Sequence, residues 1–174
     1  MNTRKNKKNK ARKNRKIFNK NNYNSNDGML TTVWGPSLWH SLHTISFNYP
    51  VNPTKSEKLN YKKFIETLKY VLPCKHCRDN LKDNLRKYPL TMKVMKDRYS
   101  FSLYIYNLHE RINTLLNKKS GLSYDDVRER YEHFRARCIK KIKKTVKKKH
   151  KGCTIPLHKF KSKGVIKIIP DDVK

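Results

Sequence analysis

The chain has 174 residues, with 43 Lys or Arg against 13 Asp or Glu, a net charge of +30 and a mean hydropathy of −0.96. No apolar run approaches the roughly 18 residues of a membrane span, and no apolar segment follows Met1 as in a secretory signal. Four cysteines are too few for a disulfide scaffold, and the length suits one domain with tails.

The charge is uneven. Residues 1–28 carry 10 basic and 1 acidic side chains, residues 29–134 carry 18 and 10, and residues 135–174 carry 15 and 2. Between residues 2 and 26, Asn alternates with Lys and Arg, and Ile17, Phe18 and Tyr23 are the only large apolar side chains. Such a segment buries too little surface to offset its ordering entropy, so residues 1–28 are expected to be a disordered basic tail. The run suits polyanion binding, a nuclear-localisation patch or plain solvation. A mitochondrial transit peptide should be amphipathic and Ser-rich, and this segment is neither.

Five helices are expected between Pro36 and about Lys147. The first runs from Pro36, suited to a first helical position, to about Asn48, with Leu38, Leu42, Ile45 and Tyr49 at helical spacing. The second covers about Ser56–Leu72 behind a capping box of Thr54 and Glu57, with Leu59, Phe64, Leu68 and Val71 as its apolar face. The third covers Pro73 to about Lys87, with Cys74, Cys77, Leu81 and Leu85 on one side. The fourth spans about Ser100–Lys118 with Tyr104, Leu108, Ile112 and Leu115. The fifth starts at Ser123, capped with Asp126, and carries Val127, Tyr131, Phe134, Cys138, Ile142 and Val146.

No strand alternation appears in this stretch, so the expected fold is all-α: a four-helix bundle plus a fifth helix, with disordered basic tails. The domain is placed at residues 29–135, followed by a basic C-terminal extension over 136–174. Little packed structure is expected after about Lys151, although Gly164–Pro170 has the composition of a short strand.

The sharpest local feature is Pro73-Cys74-Lys75-His76-Cys77. Cysteines at i and i+3 share one face of a helical turn. At a helix start, the dipole and free N–H groups favour thiolate, and Lys75 and His76 add positive charge. Three readings stay open from spacing: a redox disulfide, half of a metal site, or two incidental thiols. A structural zinc site usually brings a second close pair, and Cys138 and Cys153 are too far apart to be one. No metal ligands are assigned. Two helix faces carry unusual groups: Trp39 with His43 on the first, and His109, Asn113 and Leu116 on the fourth, with Lys118 at its end. Aromatic, imidazole and amide groups between helices suit a flat heterocycle.

The string Trp34-Gly35-Pro36-Ser37-Leu38-Trp39-His40-Ser41-Leu42-His43, closed by Tyr49-Pro50, resembles the opening signature of the flavin-linked sulfhydryl oxidases of the Erv/ALR type. That family follows W-G-x-x-x-W-x-x-L-H with a CxxC and then H-N-x-V-N-x-x-L-x-K. Here the last run is His109-Glu110-Arg111-Ile112-Asn113-Thr114-Leu115-Leu116-Asn117-Lys118. The three motifs stand in the family's order over about Met29 to Phe134, and the short viral branch is nearest in character.

The resemblance implies an FAD-binding four-helix bundle with a fifth helix, a homodimer, and electron flow from protein dithiols through a CxxC pair and FAD to O2, giving H2O2. It implies Cys74 and Cys77 as the redox pair. It implies FAD contacts from Gly35, Pro36, Trp39, His43 and Tyr49, and from His109, Asn113, Leu116 and Lys118. Tyr131 stands where the family usually has a tryptophan near the adenine. Glu110 replaces the usual Asn. Tyr124 stands where a structural disulfide usually begins, which leaves Cys138 as an orphaned partner or a buried thiol. No second CxxC is present, so substrate thiols are expected to reach Cys74 directly or through a thioredoxin-like carrier. The expected location is the cytoplasm, or a host cytoplasm or virion for a viral protein, ahead of the mitochondrial intermembrane space. The competing readings are a basic nucleic-acid-binding protein and a zinc-stabilised interaction module.

Overall fold

The computed structural model describes residues 19–138 and 154–157. Residues 1–18, 139–153 and 158–174 lie outside it, and with them the lysine run from Lys140, Ile142, Val146, Cys153 and the segment Gly164–Pro170.

The described elements, in order, are α1 (Lys20–Asn24), α2 (Thr31–Phe47), α3 (Lys55–Val71), α4 (Lys75–Lys87), a 3-10 turn (Val94–Lys96), α5 (Arg98–Leu115), α6 (Tyr124–Glu132), β1 (Ala136–Cys138) and β2 (Thr154–Pro156). The core is all-α. Helix α2 packs most extensively on α5, α3 on α4, and α6 lies against both α2 and α5. Among the described residues, no helix is long and apolar enough to cross a membrane.

Each long helix after α2 starts at a side-chain cap. Thr54 Oγ1 accepts the Glu57 N–H at 3.2 Å while Glu57 Oε2 accepts the Thr54 N–H at 2.7 Å, the expected capping box. Ser123 and Asp126 form the same reciprocal pair at α6. Asp97 accepts the Ser100 N–H at 2.8 Å, so α5 begins at Arg98, two residues before the expected start.

Two buried clusters fill the bundle. One joins Leu42, Tyr49, Ile65, Leu90, Met95, Phe101 and Ile105. The other joins Leu72, Leu81, Leu85 and Leu108, with Trp34, Cys77 and Ile112 packed on it. Leu38, Trp39, Leu68 and Tyr104 touch both, which makes one continuous core from two layers.

Several expectations are corrected. Helix α2 begins at Thr31, so Pro36 sits inside it rather than at its first position. The proline leaves the Thr32 carbonyl without its i+4 donor, a loss tolerated one turn from the helix start. Helix α3 buries Ile65 and packs Tyr61 and Leu68 inward, while Leu59, Phe64 and Val71 are exposed. On α5 and at the end of α6, Leu115 and Phe134 are exposed too. The link between α4 and α5 is not simply polar, because it buries Leu90 and Met95. A short helix, α1, lies in the stretch expected to be tail.

The fifth helix ends at Glu132, about fourteen residues before its apolar stripe runs out. Arg135 anchors the chain just past this stop. Its Nη2 donates to the Phe47 carbonyl at 2.6 Å and to Glu132 Oε1 at 2.8 Å, and its Nε donates to Glu132 Oε2 at 2.7 Å. A helix C-terminus leaves carbonyls without partners, and this guanidinium takes one from α2. The chain then turns into β1, which pairs antiparallel with β2 with Cys138 opposite Thr154. The Leu157 N–H closes the ribbon on the Arg135 carbonyl at 2.8 Å. The C-terminal extension therefore returns to the domain at residues 154–157.

Candidate active site

Cys74 and Cys77 are joined in a disulfide with their Cα atoms 5.2 Å apart. Cys74 is the N-cap of α4, with extended φ and ψ of −160° and 124°, and its Sγ accepts the Cys77 N–H at 3.2 Å. Pro73 places the pair at the helix start because the residue before a proline is pushed out of helical conformation. Both cysteines are half-buried. Lys75 pairs along its own helix. Its Nζ donates to Asp79 Oδ2 at 3.1 Å, and this pairing holds the Asp79 carboxyl below its usual range. The dipole of α4 favours a Cys74 thiolate at this position.

Cys77 packs on the cluster that also carries Trp34, Trp39 and Ile112, which joins the disulfide to the faces of α2 and α5. There, Trp39 stacks on His109 with ring centroids 4.0 Å apart and planes 7° from parallel. His43 Nε2 lies 3.0 Å from His109 Nδ1. The i, i+4 spacing of Trp39 and His43 puts both on the α2 side facing α5. Burial among apolar atoms pushes the His43 pKa down to about 4, with the nearby His109 and His40 acting the same way. Burial lowers His109 as well, partly opposed by the Glu110 carboxylate.

The aromatic wall continues onto α6. Tyr131 lies over His43 at 5.3 Å and stacks on Phe47 at 5.3 Å with planes 5° apart. Its hydroxyl is 3.2 Å from His40 Nδ1. The sequence did not single out Phe47, and showed His40 only as part of the opening motif, although their positions four after and three before His43 put them on its face. Beyond Phe47, a cleft of about 540 Å³ opens among Ser102, Tyr124, Arg98 and Arg128.

The end of α5 supplies the remaining polar groups. Asn113 Nδ2 donates to Glu110 Oε1 at 3.0 Å. Asn117 has φ of 54°, a left-handed conformation that Asn tolerates better than most residues, and it turns the Lys118 N–H back to the Asn113 carbonyl at 2.8 Å. Lys118 and Leu116 are exposed beside that turn. Gly35 has open space where a Cβ would project. Tyr49 lies apart from this wall: it is wholly buried in the core cluster, and its hydroxyl donates to the Met95 carbonyl at 2.9 Å.

The residues fit the FAD that the motifs imply. His43 Nδ1 is a buried polar atom with no protein partner, set in a wall of indole, imidazole and phenol rings. Such an atom calls for a polar ligand beside it. Among the described residues, no group of three or more His, Cys, Asp or Glu side chains is placed to hold a metal ion.

Comparison with known proteins gives the same direction. The sequence profile of the Erv1 / Alr family matches residues 36–132. The chain is 38% identical over 104 residues to a probable FAD-linked sulfhydryl oxidase of Acanthamoeba polyphaga mimivirus, which covers 60% of this chain and 72% of that protein. It is 31% identical over 84 residues to the FAD-linked sulfhydryl oxidase ERV1 of Arabidopsis thaliana, covering 48% of this chain and 42% of that one. The yeast Erv1 core has a similar fold, with a TM-score of 0.55 and 20% identity over 69% of this chain and 94% of that structure.

Proposed function

The chain belongs to the Erv1 / Alr family, and from that premise we propose that it is an FAD-linked sulfhydryl oxidase that forms disulfides in protein thiols. One observation carries the assignment: a disulfide at a helix N-terminus whose inner cysteine packs on the same buried cluster as the Trp39–His109 stack.

Trp39, His43, His109 and Tyr131 supply the flat apolar wall, and Gly35 and Pro36 the open side of α2. Asn113 offers an amide oriented by Glu110, and Lys118 a cation suited to a diphosphate. Leu116 covers the exposed end, and Tyr49 supports α2 from the core. When bound, FAD supplies the two-electron acceptor, with O2 as final oxidant and H2O2 as product.

The chain's own chemistry is thiol–disulfide exchange. A substrate thiolate attacks Cys74 Sγ, forming a mixed disulfide and releasing Cys77 as thiolate. A second substrate thiolate then attacks the substrate sulfur, which releases Cys74 and leaves the pair reduced. His43 stays neutral near pH 7 and adds no cation to the buried wall. The substrate is a protein dithiol, met directly or through a thioredoxin-like carrier, and the working unit is a homodimer. Cytoplasm, host cytoplasm or virion fits the viral relatives.

A visible absorbance spectrum and thiol-dependent oxygen uptake test this reading. The purified protein is expected to be yellow. Cys77→Ser should retain the flavin and lose thiol-dependent oxygen uptake; full activity in that variant refutes the assignment.

A further inference from the structure

The redox pair is gripped from outside its own helix as well as from within. From within, Arg78 Nη1 donates to the Leu72 carbonyl at 2.6 Å and the Cys74 N–H donates to the same oxygen at 2.8 Å. From outside, the Met29 N–H donates to the Pro73 carbonyl at 2.7 Å. The Met29 carbonyl in turn accepts Trp34 Nε1–H at 3.0 Å, which ties this segment to α2. Gly28 closes the contact. A Cβ there would stand 2.6 Å from the Pro73 carbonyl oxygen and 2.8 Å from Cys74 Cα. Both are backbone atoms, so neither swings aside, and closeness rather than backbone dihedral demands glycine here.

We infer that the Gly28–Met29 strap is a positioning element for the redox disulfide: it holds Cys74 in the N-cap position, where its sulfur is the better leaving group. The inference rests on the proposed oxidase function for its use.

In the first exchange step, the new bond joins substrate sulfur to Cys74, and Cys77 takes the electron pair of the broken bond. In the second step, the substrate's other thiolate bonds to the first substrate sulfur, and Cys74 departs with the electron pair. The substrate loses two electrons and two protons. The electrons reside in the reduced pair, and the protons pass to the pair and solvent. Cys74 leaves faster the more its thiolate is stabilised. That stabilisation needs its Sγ aligned with the Cys77 N–H and the dipole of α4. Fixing Pro73 and Cys74 Cα fixes that alignment. Gly28, Met29 and Trp34 thus act through Cys74.

The test uses the reduced full chain, alkylated with iodoacetamide across a pH series, with Cys74 and Cys77 adducts separated by fragment mass spectrometry. In Gly28→Ala, the Cys74 rate at neutral pH should fall roughly three- to tenfold, the scale of losing one capping interaction. The Cys77 profile should hold. Trp34→Phe keeps an aromatic side chain and deletes the indole N–H, and should show a smaller fall of the same sign. If Gly28→Ala loses its helical circular dichroism, Trp34→Phe decides. A Cys74 profile equal to the parent's in the folded variants overturns the proposal. Absence of bound flavin from the parent would instead sink the oxidase reading, and the alkylation comparison would still decide the strap.

Discussion

His43 on α2 and His109 on α5 face each other across the core with Nε2 and Nδ1 3.0 Å apart, although 66 positions separate them in sequence. The contact requires at least one neutral ring, because a hydrogen bond needs an acceptor nitrogen. Burial favours that state: His43 is 4% exposed.

The pair predicts an acid-side loss of stability. The folded His43 pKa is about 4 against an ordinary 6.5, so the unfolded chain binds the proton more readily. The stabilisation is present in full above pH 6.5 and is lost as pH falls toward 4. It amounts to about 3 kcal/mol in total, to order of magnitude. Thermal unfolding across that window should show the decline, and His43→Gln should flatten it. An equally steep decline in the variant removes His43 as its cause.

Trp39 predicts a linked effect on cofactor and fold. It stacks on His109 and packs on both core clusters. Trp39→Ala should destabilise the domain by about 3 kcal/mol and strip FAD during purification. Trp39→Phe should recover most of the stability and less of the flavin. Chemical denaturation and the flavin-to-protein absorbance ratio measure the two separately.

Arg135 predicts a tertiary penalty for a residue that reads as part of a basic stretch. Arg135→Met keeps the stem, but loses two bonds to Glu132 and one to the Phe47 carbonyl. The cost should be about 1–2 kcal/mol, because the Glu132 side chain is 43% exposed and solvent screens the pair. Urea unfolding measures it, and Glu132→Gln should cost less. An Arg135→Met midpoint equal to the parent's would leave this anchor without a stabilising role.

The basic N-terminus predicts salt-sensitive polyanion binding separable from catalysis. Replacing the Lys and Arg of residues 4–16 with Gln should weaken retention on heparin or DNA and reduce its salt dependence. Oxidation of dithiothreitol should stay within about twofold, because an uncharged small dithiol is not steered by basic side chains. Loss of that activity would place the tail in the reaction itself.

The five core helices, the caps at Thr54 and Ser123 and the cysteine pair were legible in the sequence because they are local. Thr54 with Glu57, Ser123 with Asp126, and Pro73 ahead of Cys74 act within one turn, and the structure keeps all three. The Trp39, His43 and His109 faces were legible as faces, since i, i+4 spacing fixes a helix side whatever packs on it. The inward side of α3 was not: its apolar residues circle the helix, and only the contacts with α4 and the 3-10 turn choose Ile65 over Phe64.

What the chain alone determined is therefore the five core helices, the redox pair and the side chains able to line a flat cofactor. Tertiary structure decided how the chain is anchored beyond α6, through one guanidinium on a carbonyl 88 positions away, and which backbone meets Cys74, through Gly28 and Met29. Local periodicity carries no information on these. Each depends on a donor meeting an unpaired acceptor that only packing brings within reach.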